Sequence, residues 1–475
     1  MDFGSLNGVA IAALPFILIL IVHMWHRRPT FARVAAASTA TRDSMTPTII
    51  PRDKHPISRK DLSDSALKVL YRLKDAGYES YLVGGCVRDL LLGKHPKDFD
   101  VATAGHPDEV NDLFRNARLI GRRFRLVHVR FGREMIEVAT FRADHDSQSD
   151  VTDSHSRQSE GGMLLRDNVY GTIDEDARRR DFTINALYYS VEDFAIHDHA
   201  NGLADLNNRV LRMIGDPESR YREDPVRMLR AVRFAAKLEF TIEPATEEPI
   251  RRLSGLLADI PAARLFEEVL KLFLSGDAVI TYQLLREFDL FRYLFPLTDK
   301  YLRENTDSTA ERLILEALRS TDNRIRRGKS ITPAFLYAAM LWHPMQQRLQ
   351  QLRREGIPPI PALHQASQEV TQQQGRATSL PKRFSGPMRE IWELQQRLPQ
   401  RFGKRAEQLQ QHPRFRAGYD FLLMREASGE TLDGLGEWWT EFQEADETQQ
   451  AAMVQALGRN PKRPRRRTTR KVHPE

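Results

Sequence analysis

Asp98 and Asp100 are separated by a single residue, Phe99. Side chains alternate between the two faces of a strand, so both carboxylates would share one face and Phe99 would turn toward the core. Two carboxylates on one face suit two hard divalent cations, which prefer oxygen ligands and can bridge a transferring phosphate. An isolated Asp-x-Asp is more often a solvated loop end, so this chemistry needs a second signal.

The second signal is the glycine pair Gly84-Gly85, which follows a short β-rich run and precedes a helical segment that stops at Gly93. Glycines at such a junction let backbone N–H groups approach a phosphate closely, and the helix dipole adds partial positive charge there. A glycine pair alone is weak evidence. Its position shortly before the two aspartates favours a site that holds a phosphate and a divalent cation together.

Strand patterns and one helix surround these residues, and the rest of the chain is helical. Apolar residues share one broad face of Asp61–Ala76, which predicts an amphipathic helix that ends at Gly77. Strand patterns follow at Tyr81–Val83, Phe99–Ala102, Arg125–Phe131 and Glu134–Phe141. After about Tyr221 the pattern is helical nearly to the end. The predicted fold class is α+β, a small mixed-sheet head domain followed by an all-α neck, body and tail region.

Four motifs stand in order along the first half of the chain. Leu82–Asp100 reads LVGGCVRDLLLGKHPKDFD, and RRDFTIN, NGLADL and REDPVRMLRAVRF follow at Arg179–Asn185, Asn201–Leu206 and Arg222–Phe234. This set resembles the class II nucleotidyltransferases, the group of bacterial poly(A) polymerases and tRNA CCA-adding enzymes. The resemblance covers about residues 50 to 275. Cys86 stands where members of the group usually carry glycine or alanine.

The resemblance implies that Asp98 and Asp100 hold Mg²⁺ and that ATP is the nucleotide substrate. One cation would lower the pKa of the RNA 3′-hydroxyl and the other would bind the triphosphate, giving in-line attack on the α-phosphate. The resemblance also adds Asp181 to the catalytic carboxylates. Glu137, on the strand pattern Glu134–Phe141, is either a third metal ligand or an outward-facing charge.

Several motif residues would hold the nucleotide. They are Gly84, Gly85, Arg88, Asp89, Arg180, Asn185, Glu223, Asp224, Arg227, Arg230 and Arg233. Arg180 and Asn185 would contact the ribose and the phosphates. In the family, this segment favours ribose over deoxyribose.

The helical motif near Arg222 resembles the family's base-reading element, in which carboxylate and guanidinium edges hydrogen-bond the nucleobase. Glu223, Asp224 and Arg227 match it. Because Asp224 and Arg227 are three residues apart on a predicted helix, we expect them to hold each other in position. The alternative interpretation of the arginines in this motif is an exposed basic stripe along the helix.

Four features favour the poly(A) polymerase branch of the family: the segment Leu119–Val129, the arginine strip around it, the long polar insertion Asp144–Asp176 and the basic C-terminal tail. Leu119–Val129 resembles a segment that distinguishes this branch from CCA-adding enzymes. Arg115–Arg133 holds seven arginines and no acid, a strip suited to RNA phosphates in which Arg122 and Arg123 are the central candidates. The predicted function is template-independent addition of AMP to RNA 3′ ends, in RNA decay and processing. The alternatives are a CCA-adding tRNA nucleotidyltransferase and a non-catalytic RNA-binding scaffold.

The charge of the chain is concentrated at its C-terminal end. The 475 residues carry a net charge of +7, and Arg459–Glu475 alone holds eight basic side chains against one acid. Its prolines and lack of an apolar core indicate a disordered arm that grips phosphates, with Arg463, Arg465, Arg466 and Arg467 as RNA-binding candidates. One cysteine excludes a disulfide framework and fits a reducing compartment.

An uncharged stretch runs from Gly8 to Val22 and extends to Trp25. It is at the short end for a membrane span and lacks the basic start of a signal peptide. It is therefore either a loose membrane anchor or the product of a start site placed upstream of Met45. If it inserts, the basic residues after it favour a cytoplasmic body.

The predicted organisation has five parts. They are an N-terminal extension (1–50, apolar at 8–25), a catalytic head (51–190), a neck with base-recognition helices (191–275), an all-α RNA-binding body (276–455) and a basic tail (456–475). The expected partners are RNA 3′ ends, ATP and RNA-decay proteins. The expected location is the cytoplasm, with weak membrane association only if the N-terminal stretch inserts.

Overall fold

The computed structural model describes residues 46–121, 125–143, 156–158, 164–167, 169–305 and 308–458. The apolar stretch 8–25 and the tail from Arg459 onward lie outside these residues. No helix within the described ranges is long and apolar enough to cross a membrane.

The described residues contain twelve strands. They are β1 (Thr48–Ile50), β2 (Ser80–Val83), β3 (Asp100–Thr103), β4 (Ala117–Ile120), β5 (Leu126–Phe131), β6 (Glu134–Thr140), β7 (Ser156–Gln158), β8 (Leu164–Asp167), β9 (Leu187–Ser190), β10 (Ile196–Asp198), β11 (Val210–Leu211) and β12 (Thr241–Ile242). Eight of them form the head sheet in the order β1-β10-β9-β2-β3-β6-β5-β4. Within this sheet only the β3–β6 pair is parallel. The four predicted strands are confirmed.

Nine α-helices of the described residues lie before residue 276, in the predicted head and neck. They are α1 (Asp64–Asp75), α2 (Gly85–Leu91), α3 (Pro107–Leu113), α4 (Ile173–Arg179), α5 (Gly202–Asn207), α6 (Pro217–Glu223), α7 (Val226–Leu238), α8 (Pro244–Leu253) and α9 (Ala262–Phe273). The predicted amphipathic helix is α1. It begins where the Ser63 hydroxyl accepts from the Ala66 N–H at 2.9 Å, and it ends before Gly77, whose φ is 84°.

The remaining described chain is helical. Its helices are α10 (Ala278–Glu287), α11 (Phe291–Leu294), α12 (Pro296–Glu304), α13 (Ser308–Arg326), α14 (Pro333–Met340), α15 (Trp342–Arg354), α16 (Pro359–Ala377), α17 (Lys382–Arg397), α18 (Arg405–Gln410), α19 (Phe415–Ala427), α20 (Leu435–Glu444) and α21 (Glu447–Ala456). The predicted fold class, a mixed-sheet head followed by an all-α region, is confirmed.

The head sheet extends past both limits expected from the sequence. β1 pairs with β10 in antiparallel register, from Thr48 opposite Asp198 to Ile50 opposite Ile196. Both strands therefore belong to the head, although the sequence placed its bounds at 51 and 190. Both strands have only three residues, too few for their periodicity to be recognised in a sequence.

The two faces of the head sheet have different roles. Val101 and Val138 are buried in the main hydrophobic core together with Leu70 of α1. The opposite face buries a smaller cluster that includes Tyr81 and Val83. Since side chains alternate along a strand, Asp100 shares this second face with Ala102, and the candidate site is built there.

Candidate functional site

The glycine pair forms a tight turn between β2 and α2. Gly84 has φ 76° and ψ −130°, a combination that only glycine adopts without strain. A Cβ atom on Gly84 would lie 3.6 Å from a guanidinium nitrogen of Arg180. The turn therefore lies beside a cation, which suits a segment expected to approach a phosphate.

The two aspartates lie next to this turn. Asp100 is the first residue of β3 and pairs across the sheet with Val83, the residue before Gly84. Asp98 precedes the strand and is exposed, whereas Phe99 is buried in the main core. The predicted alternation is present, although only Asp100 lies within the strand.

Glu137 lies beside Asp100 because β3 and β6 run parallel with these two residues in register. Burial, together with the charges of Glu137 and Asp98, raises the pKa of Asp100 to about 6, and the Arg180 guanidinium opposes this rise. Glu137 also contacts His128 of β5, with 3.3 Å between Oε1 and Nε2. The carboxylates thus repel one another, a charge pattern that a divalent cation would relieve.

Asp98 and Asp100 fit a divalent cation by their chemistry, since oxygen donors and uncompensated negative charge are what such an ion requires. Across the described part of the chain, however, no group of three or more His, Cys, Asp or Glu side chains is arranged to hold a metal ion. The Glu137 carboxylate is in contact with His128. Its assignment as a third metal ligand stays a prediction.

Arg180 is held by two side chains that the sequence analysis did not single out. Its Nε lies 2.8 Å from the Tyr188 hydroxyl, and its Nη2 donates to Asp176 Oδ2 at 3.0 Å. The Tyr188 hydroxyl donates to the same Asp176 oxygen at 2.7 Å. The spacing of Asp176 and Arg180, four residues apart, could have indicated this pair. The position of Tyr188 depends on the pairing of β9 with β2, which no local pattern reports.

Asp181 is buried and both of its oxygens are occupied. Oδ1 accepts from the next backbone N–H at 2.8 Å and from Asn185 Nδ2 at 3.0 Å, while Oδ2 accepts from Arg230 Nε at 2.7 Å. Burial alone would raise the pKa of Asp181, but the Arg230 charge and the Asn185 hydrogen bond hold it below its usual range. The structure therefore pairs Asp181 with the neck helix α7. It does not group Asp181 with Asp98 and Asp100 among the described contacts.

A chain of hydrogen bonds continues from Asp181 to the head. Asn185 Oδ1 accepts from Arg88 Nη1 at 2.7 Å, and Arg88 Nε and Nη2 donate to Asp89 at 2.9 and 2.7 Å. Arg88 is only 2% exposed. Hydrogen bonds thus connect Arg88 of α2, through Asn185 and Asp181, to Arg230 of α7. Both the oxygen and the nitrogen of the Asn185 amide have partners inside the protein.

Three guanidinium groups surround the ring of Phe234 on α7. Arg233, Arg88 and Arg230 lie 4.9, 5.1 and 5.5 Å from the ring centroid. Arg88 and Arg230 have carboxylate partners, whereas within the described ranges no ion pair joins Arg233 to a carboxylate. Burial and the Arg230 charge lower the pKa of Arg233. Arg233 is therefore the cation of this cluster best placed to take an external anion.

The base-reading candidates lie where α6 ends and α7 begins. Arg227 Nη1 donates to Glu223 Oε2 at 2.8 Å, and Asp224 Oδ2 accepts from Arg264 at 2.7 Å. The Arg227 N–H donates to the Asp224 carbonyl oxygen at 2.9 Å, but the prediction that the two side chains hold each other is wrong for the described contacts, because each side chain has a different partner. Asp224 has an extended backbone (φ −145°, ψ 93°) because Pro225 disfavours a helical conformation in the residue before it.

The predicted RNA-binding arginines lie outside the described residues. Arg122 and Arg123 belong to the connection between β4 and β5. Arg463, Arg465, Arg466 and Arg467 follow α21 in the basic tail. Their role remains a prediction from the sequence.

Three family descriptions match this chain. Residues 80–212 match "Poly A polymerase head domain", residues 239–302 match "Probable RNA and SrmB- binding site of polymerase A", and residues 355–472 match "Polymerase A arginine-rich C-terminus". The poly(A) polymerase I of Salmonella typhimurium strain LT2 is 56% identical over 427 residues, which is 89% of this chain and 91% of that protein. The chain belongs to the poly(A) polymerase family.

Other relatives support the same placement. The poly(A) polymerase I of Escherichia coli O6:H1 is 54% identical over 428 residues, covering 89% of this chain and 91% of that protein. A CCA-adding enzyme of Lactobacillus helveticus is 38% identical, but over only 51% of this chain and 57% of that enzyme. The family resemblance predicted from the motifs is confirmed, and the longer match lies with the poly(A) polymerases.

Solved structures share the fold. The Bacillus stearothermophilus CCA-adding enzyme in complex with CTP superposes with a TM-score of 0.52 at 26% identity, covering 80% of each chain. The Thermotoga maritima CCA-adding enzyme complexed with tRNA gives a TM-score of 0.53 at 19% identity, covering 86% of this chain and 99% of that enzyme. The chain is thus a nucleotidyltransferase of a family that normally uses a divalent metal with ATP.

Proposed function

We propose that this chain adds AMP units from ATP to RNA 3′ ends without a template. The observation that carries the proposal is the pairing of Asp100 with Glu137, with the charge of Asp98 close by, beside the Gly84-Gly85 turn on the head fold of the poly(A) polymerase family. In the reaction, the RNA 3′-oxygen loses its proton to solvent and bonds to the α-phosphorus of ATP. The bond from that phosphorus to the bridging oxygen breaks, and pyrophosphate leaves.

Asp98 and Asp100 are the residues that would hold Mg²⁺, with Glu137 as the candidate third ligand. Bound there, the metal would neutralise charge on the phosphates and lower the pKa of the RNA 3′-hydroxyl. The chain itself supplies a partly buried carboxylate, Asp100, and a fixed guanidinium, Arg180, next to the Gly84 turn. Arg180 is held by Asp176 and Tyr188, so it can meet a phosphate without reorganising.

The other motif residues would position the triphosphate from the neck side. Asp181 and Asn185 hold Arg230 and Arg88 in place, which makes them positioning residues in this proposal. Arg233, which has no carboxylate partner among the described residues, would contact a phosphate directly. The pairing of Arg88 with Asp89 gives Asp89 a structural part in the same cluster.

Glu223, Asp224 and Arg227 would read the base. Arg227 Nη1 donates to Glu223 and to the Arg220 carbonyl oxygen at 2.8 and 2.7 Å, so its guanidinium is held in one orientation. Asp224 is held separately by Arg264. A guanidinium and a carboxylate fixed by different partners offer a rigid donor and acceptor edge, which is the requirement for discriminating one nucleobase from another.

Basic segments and the helical region would hold the RNA. Residues 276–455 would form an RNA-binding body, and Arg122, Arg123 and the four tail arginines would contact phosphates by charge. Family matches at 239–302 and 355–472 support RNA as a ligand.

RNA-decay proteins are proposed partners because the product is a tailed RNA. The cytoplasm is the proposed location because ATP and RNA meet there, with weak membrane association if residues 8–25 insert.

The decisive experiment incubates the purified chain with one generic RNA and Mg²⁺, supplying each of the four nucleoside triphosphates separately. A long ladder with ATP alone is the expected result. A parallel reaction supplies a truncated tRNA with CTP and ATP together, and addition there that stops after C, C and A, without a ladder on the generic RNA, would identify a CCA-adding enzyme instead. RNA binding without incorporation of any nucleotide would identify a non-catalytic scaffold.

A further inference from the structure

A large polar cleft lies in the helical body, between α12, α15 and α16. Its volume is about 950 Å³, at the upper end of the roughly 300–1,000 Å³ that sites for small molecules span. α12 contributes Tyr301 and Lys300, and Arg425 and Glu430 close one side. The nucleotide site described above uses none of the residues that line this cleft.

Glutamine is the most frequent residue type in the lining. The five are Gln346, Gln347, Gln350 and Gln351 of α15 and Gln373 of α16. The spacing of four residues places them in neighbouring positions on one side of α15. Among the described residues, none of the five amides has a side-chain hydrogen bond, and Gln346 Nε2 is buried without a partner. By contrast, the amides of Gln374 and Gln395 donate to backbone carbonyl oxygens.

The charged residues of the cleft are mostly compensated. Arg348 pairs with Glu369 at 2.5 Å, and Arg425 pairs with Glu430 at 2.7 Å. Ion pairs of this kind leave little net field to attract a bare polyanion. The cleft is therefore suited to a ligand that presents hydrogen-bonding edges more than charge. The half-buried rings of Tyr301 and His343, 5.4 Å apart, add aromatic surface to the same wall.

We propose that this cleft binds adenine bases of single-stranded RNA, and that it thereby holds the tail that the enzyme has already added. The inference rests on the proposed function, because poly(A) is then the product. A glutamine amide offers a donor and an acceptor in one plane, which match N7 and the N6 amino group of adenine. Single-stranded RNA is recognised by such edge contacts together with stacking on aromatic rings. The exposed Arg354 and Lys300 at the cleft can reach phosphates.

The test compares binding of oligo(A) and oligo(U) of equal length to the full chain, by fluorescence anisotropy at fixed salt. The variant is Gln347→Ala/Gln350→Ala/Gln351→Ala, at three exposed helix positions where alanine preserves the helix. The control is Gln368→Ala/Gln372→Ala, at exposed positions of α16 that do not line the cleft.

We expect the triple variant to bind oligo(A) at least about tenfold more weakly, the effect of losing one good bidentate amide–adenine pair, with oligo(U) affinity unchanged. The control should match the unsubstituted chain. Equal losses for both oligonucleotides would overturn the inference, since they would indicate phosphate contacts. Unchanged affinity for both would overturn it in favour of a protein partner.

Addition of the first AMP to saturating RNA without a 3′ adenine is measured in parallel. Its failure in the unsubstituted chain would overturn the proposed function itself.

Discussion

At the scale of single residues, the candidate site concentrates negative charge that folding alone would avoid. Asp100 is partly buried, stands in register with Glu137 and has a pKa raised to about 6 by burial and by the neighbouring carboxylates. Because this pKa is above the value of an unfolded chain, ionised Asp100 weakens the fold at any pH above both values. A raised carboxylate pKa beside other carboxylates is typical of binding sites, so Asp100 is the residue at which the proposed metal site is best tested.

Replacing this carboxylate should separate activity from stability. We expect Asp100→Asn to abolish AMP incorporation, because the substitution removes a carboxylate that we propose as a metal ligand. We also expect the free energy of unfolding to stay equal or to rise by up to ~2 kcal/mol, since one pKa unit corresponds to ~1.4 kcal/mol before screening is allowed for. Incorporation of labelled AMP and urea unfolding measure the two effects.

The matched control for this prediction is Asp112→Asn, at an exposed position of α3. It should change neither quantity. Asp98→Ala should also abolish incorporation with the fold intact. Near-normal activity of either the Asp98 or the Asp100 variant in Mg²⁺ would contradict the assignment of these aspartates as metal ligands.

Arg227 allows a sharp test of base reading. Its guanidinium is fixed by Glu223 and by the Arg220 carbonyl oxygen, so Arg227→Ala removes a rigid hydrogen-bonding edge. We expect the preference for ATP over the other triphosphates to fall about tenfold or more, together with the rate. Competition between ATP and CTP on one RNA measures the preference, with Arg222→Ala as a nearby exposed control. A lower rate with unchanged preference would assign Arg227 to phosphate binding or packing.

At the scale of elements, the neck helix α7 is joined to the head by buried polar contacts. Asn185 bridges Arg88 of α2 and Asp181, which pairs with Arg230 of α7. Phe234 of α7 packs under the same guanidinium groups. Each of these side chains is a hydrogen-bond partner of the next. The removal of one therefore leaves buried polar groups without partners, and this costs more free energy of folding than the hydrogen bond itself contributes.

Asn185→Ala should therefore destabilise the junction. We expect the free energy of unfolding to fall by ~1–3 kcal/mol, as both Arg88 and Asp181 are deprived of a buried partner. Chemical denaturation followed by circular dichroism measures this change. Asn208→Ala, at an exposed position, is the control and should be neutral. A decrease no larger than that of the control would show that water replaces the amide and that the junction does not depend on it.

The helices and strands could be predicted from the sequence where their pattern is local. The candidate site could be predicted only in part. α1 and the core strands follow from periodicity, and the Gly84 turn follows from a backbone that only glycine adopts. The extended backbone of Asp224 was also predictable from the sequence, since Pro225 follows it. The Asp181–Arg230 pair was not predictable from the sequence. Its two residues are 49 positions apart, and only the folded neck brings them together.

At the scale of the whole molecule, charge is divided between a balanced body and a basic end. Arg459–Glu475 accounts for the entire net charge of +7. The described part of the chain that precedes it pairs most arginines of the site with carboxylates, as in the Arg88–Asp89 and Arg230–Asp181 contacts. Long-range attraction of RNA should therefore come from the end of the chain, and selection of the nucleotide from the head and neck.

Deletion of the basic end tests this division. A chain ending at Gly458 lacks eight basic side chains, so we expect weaker RNA binding, most clearly at low salt, and a flatter dependence of log affinity on log salt. The slope should fall by roughly 0.7 for each phosphate of single-stranded RNA that the tail no longer neutralises, hence by several units at most. AMP incorporation at saturating RNA should change little.

Affinity for one unstructured RNA is measured across a salt series, with a full-length chain carrying Gln at the eight basic positions as the control. Identical slopes for the full and shortened chains would mean that the tail does not touch RNA phosphates, and its charge would then serve another partner.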